Sequence, residues 1–331
     1  MKIIAFFNNK GGVGKTTLVY HLAWMFTDLG FNVVVADLDP QSNLSSALLD
    51  EDRLENIWPE GVAHTKSILG VVEPILAGTG DIGMTHVENI ADNLGLIVGD
   101  LGLSSFEDRL STSWPLCMDG REAEFRVMSA FYRAVSSAAS AREASLVLVD
   151  VGPNLGAINR AALIAADHVV VPLAPDLFSL QGLRNLGPTL FLWREQWQER
   201  LKKIPKNLIL PMPNGKMRPA GYVAMQHAVR LDRPVKAYDR WMQRIPAVYQ
   251  EFVLGKAAKN APTQLKQDPH CLALLKHYRS LMPMSMESHK PMFFLKPADG
   301  AIGAHTHSVQ ECYKDFKKLA QGIVTACDIK I

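Results

Sequence analysis

Seven short runs of consecutive apolar, β-branched-rich residues punctuate the chain: Ile3–Phe7, Asn32–Ala36, Leu94–Val98, Leu146–Asp150, His168–Pro172, Leu208–Leu210 and Gly221–Met225. Each predicts a strand. Because the runs are apolar throughout rather than alternating, they predict strands covered on both faces, as in a parallel sheet between helix layers. Longer stretches at helical spacing separate them, so strands and helices alternate. The expected fold class is α/β: a doubly wound, mostly parallel sheet flanked by helices, with ligands at the carboxyl ends of its strands. Two stretches break this rhythm, and we read both as insertions into one domain spanning 1–331. Residues 51–92 are rich in Gly, Pro and charge, and residues 227–278 read as mostly helical. In the second, Val235, Tyr238, Met242, Ile245, Tyr249 and Phe252 recur every three or four residues, which predicts a core-facing helical stripe kinked at Pro246.

The first predicted strand runs into Asn8-Asn9-Lys10-Gly11-Gly12-Val13-Gly14-Lys15-Thr16-Thr17 and then into an amphipathic stretch. Strand, glycine-rich turn and helix start form the context of a phosphate loop. Gly11, Gly12, Val13 and Gly14 let backbone N–H groups turn inward on phosphate oxygens, and the helix N-terminus adds its positive end. Lys15 is placed to bridge the β- and γ-phosphates, the Thr16 hydroxyl to ligate Mg²⁺, and Thr17 to meet the α-phosphate. The ordinary motif requires glycine where this chain has Asn9, followed by Lys10.

Two acidic stations follow. Asp37 and Asp39 lie just past the second predicted strand, where Mg²⁺ and an attacking water would sit beside the loop. Asp150 closes the apolar run Leu146-Val147-Leu148-Val149, the pattern of a carboxylate that holds Mg²⁺ through water.

With these motifs the chain resembles the ParA/MinD family of deviant Walker ATPases. Lys10 matches the family's signature lysine, Asp37-Leu38-Asp39-Pro40-Gln41 its D-x-D-P-Q segment, and Val171-Pro172-Leu173-Ala174-Pro175 its V-P-x-x-P run. Leu96 to Glu107, Asn159 to Leu163 and Tyr313 to Ile323 are similar as well, so that about two thirds of the chain tracks the family. The resemblance implies the deviant Walker P-loop fold and an ATP-sandwich homodimer in which Lys10 reaches the partner's phosphates. It also implies that Asp37 holds a metal-bound water, that Asp39 orients the nucleophilic water, and that Pro283 and Met284 cradle adenine. ATP and Mg²⁺ are the implied cofactors, with slow hydrolysis stimulated by a ParB-like or other adaptor. The chain departs from the pattern at Gly152, where the family has proline, and at Met284, where it has arginine.

Composition narrows the choice within that family. The chain carries 35 Lys and Arg against 33 Asp and Glu, so no whole-molecule field advertises a polyanion, and any such partner must be met locally. One local surplus exists: Arg194 to Arg244 holds twelve basic residues against four acidic ones. From it we expect nonspecific double-stranded DNA binding through Lys202, Lys203, Lys216, Arg218, Arg230, Arg233, Lys236 and Arg240. The alternative is a nucleotide-gated switch whose partner is a protein complex. Cys117, Cys271, Cys312 and Cys327 are far apart and away from every motif, which argues against a zinc site, a disulfide framework or a shared cluster. The P-loop begins too early for a preceding helix-turn-helix, and the sequence stops soon after its last core-like helix, so neither operator binding nor a membrane anchor is expected. A cytoplasmic, nucleoid-associated ATPase that positions or segregates a DNA cargo is the resulting expectation.

Overall fold

The computed structural model describes residues 1–226, 240–258, 261–278 and 280–330. Eight strands form one sheet in the order β3-β4-β2-β5-β1-β6-β7-β8. They are β1 (Lys2–Phe6), β2 (Val33–Asp37), β3 (Glu88–Ala91), β4 (Leu94–Ile97), β5 (Leu146–Asp150), β6 (His168–Leu173), β7 (Arg218–Gln226) and β8 (Cys271–Lys276). Every pairing is parallel except that of β3 with β4. Alternate β1 residues enter opposite cores, Ile3, Ala5 and Phe7 on one face and Ile4 and Phe6 on the other. This two-sided burial is why the strands read as unbroken apolar runs. One face is covered by α1 (Lys15–Asp28) and the long helix Ala304–Ala326, through Leu18, Leu22, Phe26, Phe316, Leu319 and Ile323. The short helices α2 (Asn43–Leu48), α3 (Glu51–Ile57) and α4 (Ile68–Leu76) follow β2, and the other face is covered by α5 (Phe106–Leu116), α6 (Glu122–Met128), α7 (Ala130–Ala141), α8 (Ala157–Ala165) and α9 (Leu177–Leu201).

Three expectations need correction. Leu208–Leu210 is irregular chain: three residues hemmed by Pro205, Pro211 and Pro213 cannot sustain a ladder, and Ile209 is 96% exposed. The segment read as mostly helical carries β8, a strand paired with β7, so its distal end belongs to the sheet. Pro246 begins a helical turn, Ile245–Val248, that continues as a π-turn over Tyr249–Val253; proline at a first turn costs no hydrogen bond, so it starts the helix instead of kinking one. Of the apolar stripe, Met242, Ile245 and Tyr249 are buried in the core and Phe252 packs against it, while Val235 and Tyr238 lie outside the described residues.

Residues 51–92 contribute two helices and the edge strand β3. Asp81 fastens this segment to the body, accepting from Arg126 at 2.5 Å and from the nearly buried Arg133 at 2.6 Å. A guanidinium this buried needs a partner, which makes the contact specific as well as attractive.

Candidate functional site

The sheet register assembles the site. Asp37 and Asp150 are opposite one another at the carboxyl ends of β2 and β5, and Phe6 of β1 is the neighbour of Asp150 on the other side. The loop leaving β1 therefore emerges beside both carboxylates. Its first residues are tied down: Phe7 N donates to Val170 O at 3.0 Å, and the buried Asn8 side chain donates to Pro172 O at 2.7 Å and accepts from Lys10 N at 3.0 Å. Gly12 and Gly14 take φ of 70° and 83°, the left-handed turns that bring backbone N–H groups inward before α1 starts at Lys15. No side chain caps α1 and no acidic residue stands in its first turn, so the helix N-terminus is open to an anion.

Lys15 is 7% exposed, and among the described residues its ammonium reaches only Lys10 O, at 3.5 Å. Burial lowers its pKa, while Asp150 and Asp39 act in the opposite direction. A desolvated ammonium with one marginal hydrogen bond favours an incoming anion. Asp150 is fully buried, and neither carboxylate oxygen has a hydrogen-bond partner among the described residues. Its pKa is pushed up by burial and by Asp37 and Asp39, against the pull of Thr16 and Lys15. Burial also raises Asp37, but there Ser45 compensates, donating both N–H and Oγ–H to Oδ2 at 2.8 Å. The Ser45 hydroxyl in turn accepts from Gly99 N at 2.8 Å. Asp39 accepts from Gln41 N at 3.0 Å.

This donor set suits a hard divalent cation. Asp150 has orphaned, buried oxygens that a cation would satisfy, and Thr16 and Asp37 stand beside it; these three are the residues that could hold Mg²⁺. No cluster of three His, Cys, Asp or Glu side chains forms a ready-made cage among the described residues, so a cation here would share its shell with water and phosphate oxygens, as Mg²⁺ does.

Gly152, the departure from the family pattern, has a clear steric setting. A Cβ at this position would lie 3.2 Å from Asp39 Oδ1, so glycine leaves room for that carboxylate. The loop it begins is held from two sides. Asn159 Nδ2 donates to Gly152 O at 2.8 Å and Asn154 O at 2.6 Å. Glu107 accepts from Ala157 N and, at 2.9 Å, Ile158 N, capping α8.

A cleft of about 480 Å³ opens beside the loop, with Gly12, Gly14, Thr16 and Thr17 on one wall and Met282, Ser285 and Met286 on another. A smaller one of about 180 Å³ adjoins it, between Gly12, Gly14, Met225 and Met282. Pro283 and Met284 line neither of these clefts. The segment is a helix, Leu281–Glu287, and residues 282, 285 and 286 share the face turned to the loop while 283 and 284 do not.

His21 stands at the back of the larger cleft and staples α1 to the segment preceding the last helix. Its Nδ1 lies 2.7 Å from Thr17 O and its Nε2 accepts from Met292 N at 3.2 Å, so the neutral ring carries its proton on Nδ1; the ring stacks on Phe316. Burial drives its pKa down to about 4 against the opposing effect of the Thr17 carbonyl. The unfolded chain therefore takes up the proton first, and this group's contribution is complete above about pH 6.5 and drains away as pH falls toward 4, by about 3 kcal/mol in all. Denaturant titrations of wild type and His21→Gln across that window should show the smaller acid slope in the variant; identical slopes would contradict the assignment.

The basic residues divide. Lys202 and Lys203 follow the end of α9, and Lys216 and Arg218 stand at the amino end of β7, close enough that Arg194 on α9 donates to Lys216 O at 2.8 Å. These four lie toward the sheet edge opposite the phosphate loop. Lys202 pairs with Glu199 and Lys216 with Asp167. Arg240 stacks on Trp241. Arg200 is withdrawn into the core, packed on Trp114 and bonded to its carbonyl. Arg230, Arg233 and Lys236 lie outside the described residues. No helix among the described residues is long and apolar enough to cross a membrane.

Comparison with known proteins bears on this geometry. A family model described as an AAA domain matches residues 1–203. Protein IncC of Escherichia coli is 33% identical over 190 residues, which are 57% of this chain and 46% of that protein. The chromosome partitioning protein ParA of Caulobacter vibrioides is 28% identical over 202 residues, 61% of this chain and 67% of that protein. The match thus spans less than half the length of IncC. Among solved structures, protein DIP2308 from Corynebacterium diphtheriae superposes with a TM-score of 0.72 at 23% identity, covering 98% of each chain, which extends the shared fold through the C-terminal half.

Proposed function

Since this chain belongs to the ParA-type family of P-loop ATPases, we propose that it binds ATP with Mg²⁺, pairs with a second copy, holds duplex DNA without reading its sequence, and hydrolyses ATP slowly to let go. The observation that carries this reading is the meeting of Lys15, Asp37, Asp39 and Asp150 at one end of the sheet, with Asp150 buried beside Thr16 and its oxygens short of hydrogen-bond partners among the described residues. The open N-terminus of α1 and the inward N–H groups of residues 11 to 14 seat the phosphates, and Lys15 neutralises their inner charge. When bound, Mg²⁺ would offset the charge that develops on the transferred phosphoryl group. Asp37, held by Ser45, orients water in that cation's shell, and Asp39 orients the attacking water. Lys10 supplies a second cation to the neighbouring copy's phosphates. The loop clamped by Asn159 and Glu107 adjoins Asp39, which gives nucleotide state a route to α8.

Support for DNA comes from Lys202, Lys203, Lys216 and Arg218, gathered away from the nucleotide face where a duplex would not compete with dimer formation. ParA of Caulobacter vibrioides is named for chromosome partitioning, and cargo segregation is the role proposed here. Binding of random duplex DNA, with ATP and Mg²⁺ present, should weaken steeply with salt, and alanine at all four positions should lower the slope of log K against log salt by about 3 to 4. A wild-type protein that fails to bind at low salt would move the reading to a nucleotide-gated protein-interaction switch.

A further inference from the structure

The cation expected to act on a second copy is engaged within its own chain. Lys10 Nζ forms an ion pair with Asp176 Oδ2, 166 residues away, with the two side chains 29% and 36% exposed. The other oxygen of Asp176 accepts from Ser179 N at 2.8 Å, so the same carboxylate caps the N-terminus of α9. Phe178, 72% exposed, lies with its ring centroid 5.8 Å from the Lys10 ammonium, and Leu177 beside it is 50% exposed. The start of the phosphate loop is thus folded against the first turn of α9 under an apolar rim open to solvent. That junction is incompletely satisfied: Asn9 Oδ1 is buried without a hydrogen-bond partner among the described residues and packs against α9 at Gly182, where a Cβ would come within 2.7 Å of it. Burial alone would raise the pKa of Asp176, but hydrogen bonds from Lys10 and Ser179 hold it below the usual carboxylate range, so its negative charge is secure at neutral pH.

We propose that Asp176 is a positioning residue that keeps the Lys10 ammonium in cis on α9, and that its release from Asp176 is required before a second copy can close over the nucleotide. The inference rests on the reading that Lys10 works across a dimer. It adds what holds Lys10 beforehand and where the opposing free energy comes from. A half-exposed ion pair favours its closed form by at most about fivefold. A symmetric dimer must open two, which raises the concentration needed for half-dimerisation by up to about 25-fold. Such a latch is weak enough for bound nucleotide to overcome, and it raises the concentration at which the nucleotide-free chain would pair.

The test uses the full chain with ATP and Mg²⁺. Asp176→Asn keeps a good N-cap for α9 and removes the charge, and Asp176→Ser serves the same purpose should the first fold poorly. Sedimentation velocity over a protein dilution series should place the half-dimerisation concentration of either variant about 5- to 25-fold below wild type, with affinity for a fluorescent ATP analogue changed less than twofold. A half-dimerisation point equal to or above wild type in both variants would overturn the latch and leave Asp176 a helix cap alone. Lys10→Ala, measured alongside, checks the underlying reading separately. If it binds the analogue but does not dimerise, Lys10 acts in trans and the Asp176 result stands on its own. If it dimerises as wild type does, the trans reading fails whatever Asp176 shows.

Discussion

Lys15→Ala should bind ATP about 30- to 1000-fold more weakly than wild type, whereas Asp39→Ala should bind it normally and hydrolyse it about 100- to 10,000-fold more slowly. On the proposed function the two effects separate, because the side chains would meet different parts of the substrate. Lys15 is a nearly buried ammonium with one marginal hydrogen bond, and its unspent charge is available to phosphate in the ground state. Asp39 Oδ1 accepts from Gln41 N and lies beside Gly152, and on the proposed function its carboxylate would orient the attacking water. Its removal would then spare phosphate contacts and deprive the transition state of its water-orienting group. If dimerisation and DNA retention follow nucleotide occupancy, Asp39→Ala should also remain on DNA where Lys15→Ala does not. Equilibrium binding with a fluorescent analogue, phosphate release and DNA retention can be read on the same preparations. Parallel losses in all three would contradict this division of labour.

Gly187→Ala is expected to destabilise the protein by about 3 kcal/mol, although helix propensity alone favours the change by about 1 kcal/mol in the opposite direction. Gly187 lies inside α9 where the π-turn Tyr249–Val253 crosses it, and an added Cβ would sit 1.8 Å from Phe252 O and 2.4 Å from Phe252 C. Both obstacles are backbone, so no rotamer relieves the clash, and helix and turn must part. The cost then extends to Tyr249 and Ile245, which that crossing buries. Chemical denaturation should show the midpoint falling at an unchanged slope. A rise in the midpoint would mean that the crossing yields more readily than this packing allows.

The correspondence between pattern and structure is closest where the information is local. Six of the seven apolar runs became strands with boundaries moved by a few residues at most, because an unbroken β-branched run has few other ways to bury itself. The loop Asn8 to Thr17 and the strand-end carboxylates Asp37 and Asp150 were likewise legible, each from a handful of consecutive residues. The edge strands were the harder case. Strand β3 is a half-buried edge of four residues without an apolar run, while β8 reads Cys271-Leu272-Ala273-Leu274-Leu275-Lys276, apolar but with no β-branched residue, a run that suits a helix as well as a strand. Only the helical phase of Leu281–Glu287 shows that residues 282, 285 and 286 face the cleft.

Several groups that shape the site could not have been found from their neighbours in the chain. Asp176 is recognisable as a helix cap from its position before α9, but its pairing with Lys10 spans 166 residues. Glu107 caps a helix that begins 50 residues later, and Ser45 fixes Asp37 while accepting from Gly99 on another strand's loop. By itself, then, the sequence determined the strands, the phosphate loop and the identity of the acidic side chains, since each depends on periodicity or on residues adjacent in the chain. Tertiary structure alone decided that Asp37 and Asp150 stand side by side, that Lys10 is held on α9, and which face of the last short helix meets the cleft. Those outcomes depend on parallel register and helical phase, which bring distant residues within hydrogen-bond reach and leave no local trace.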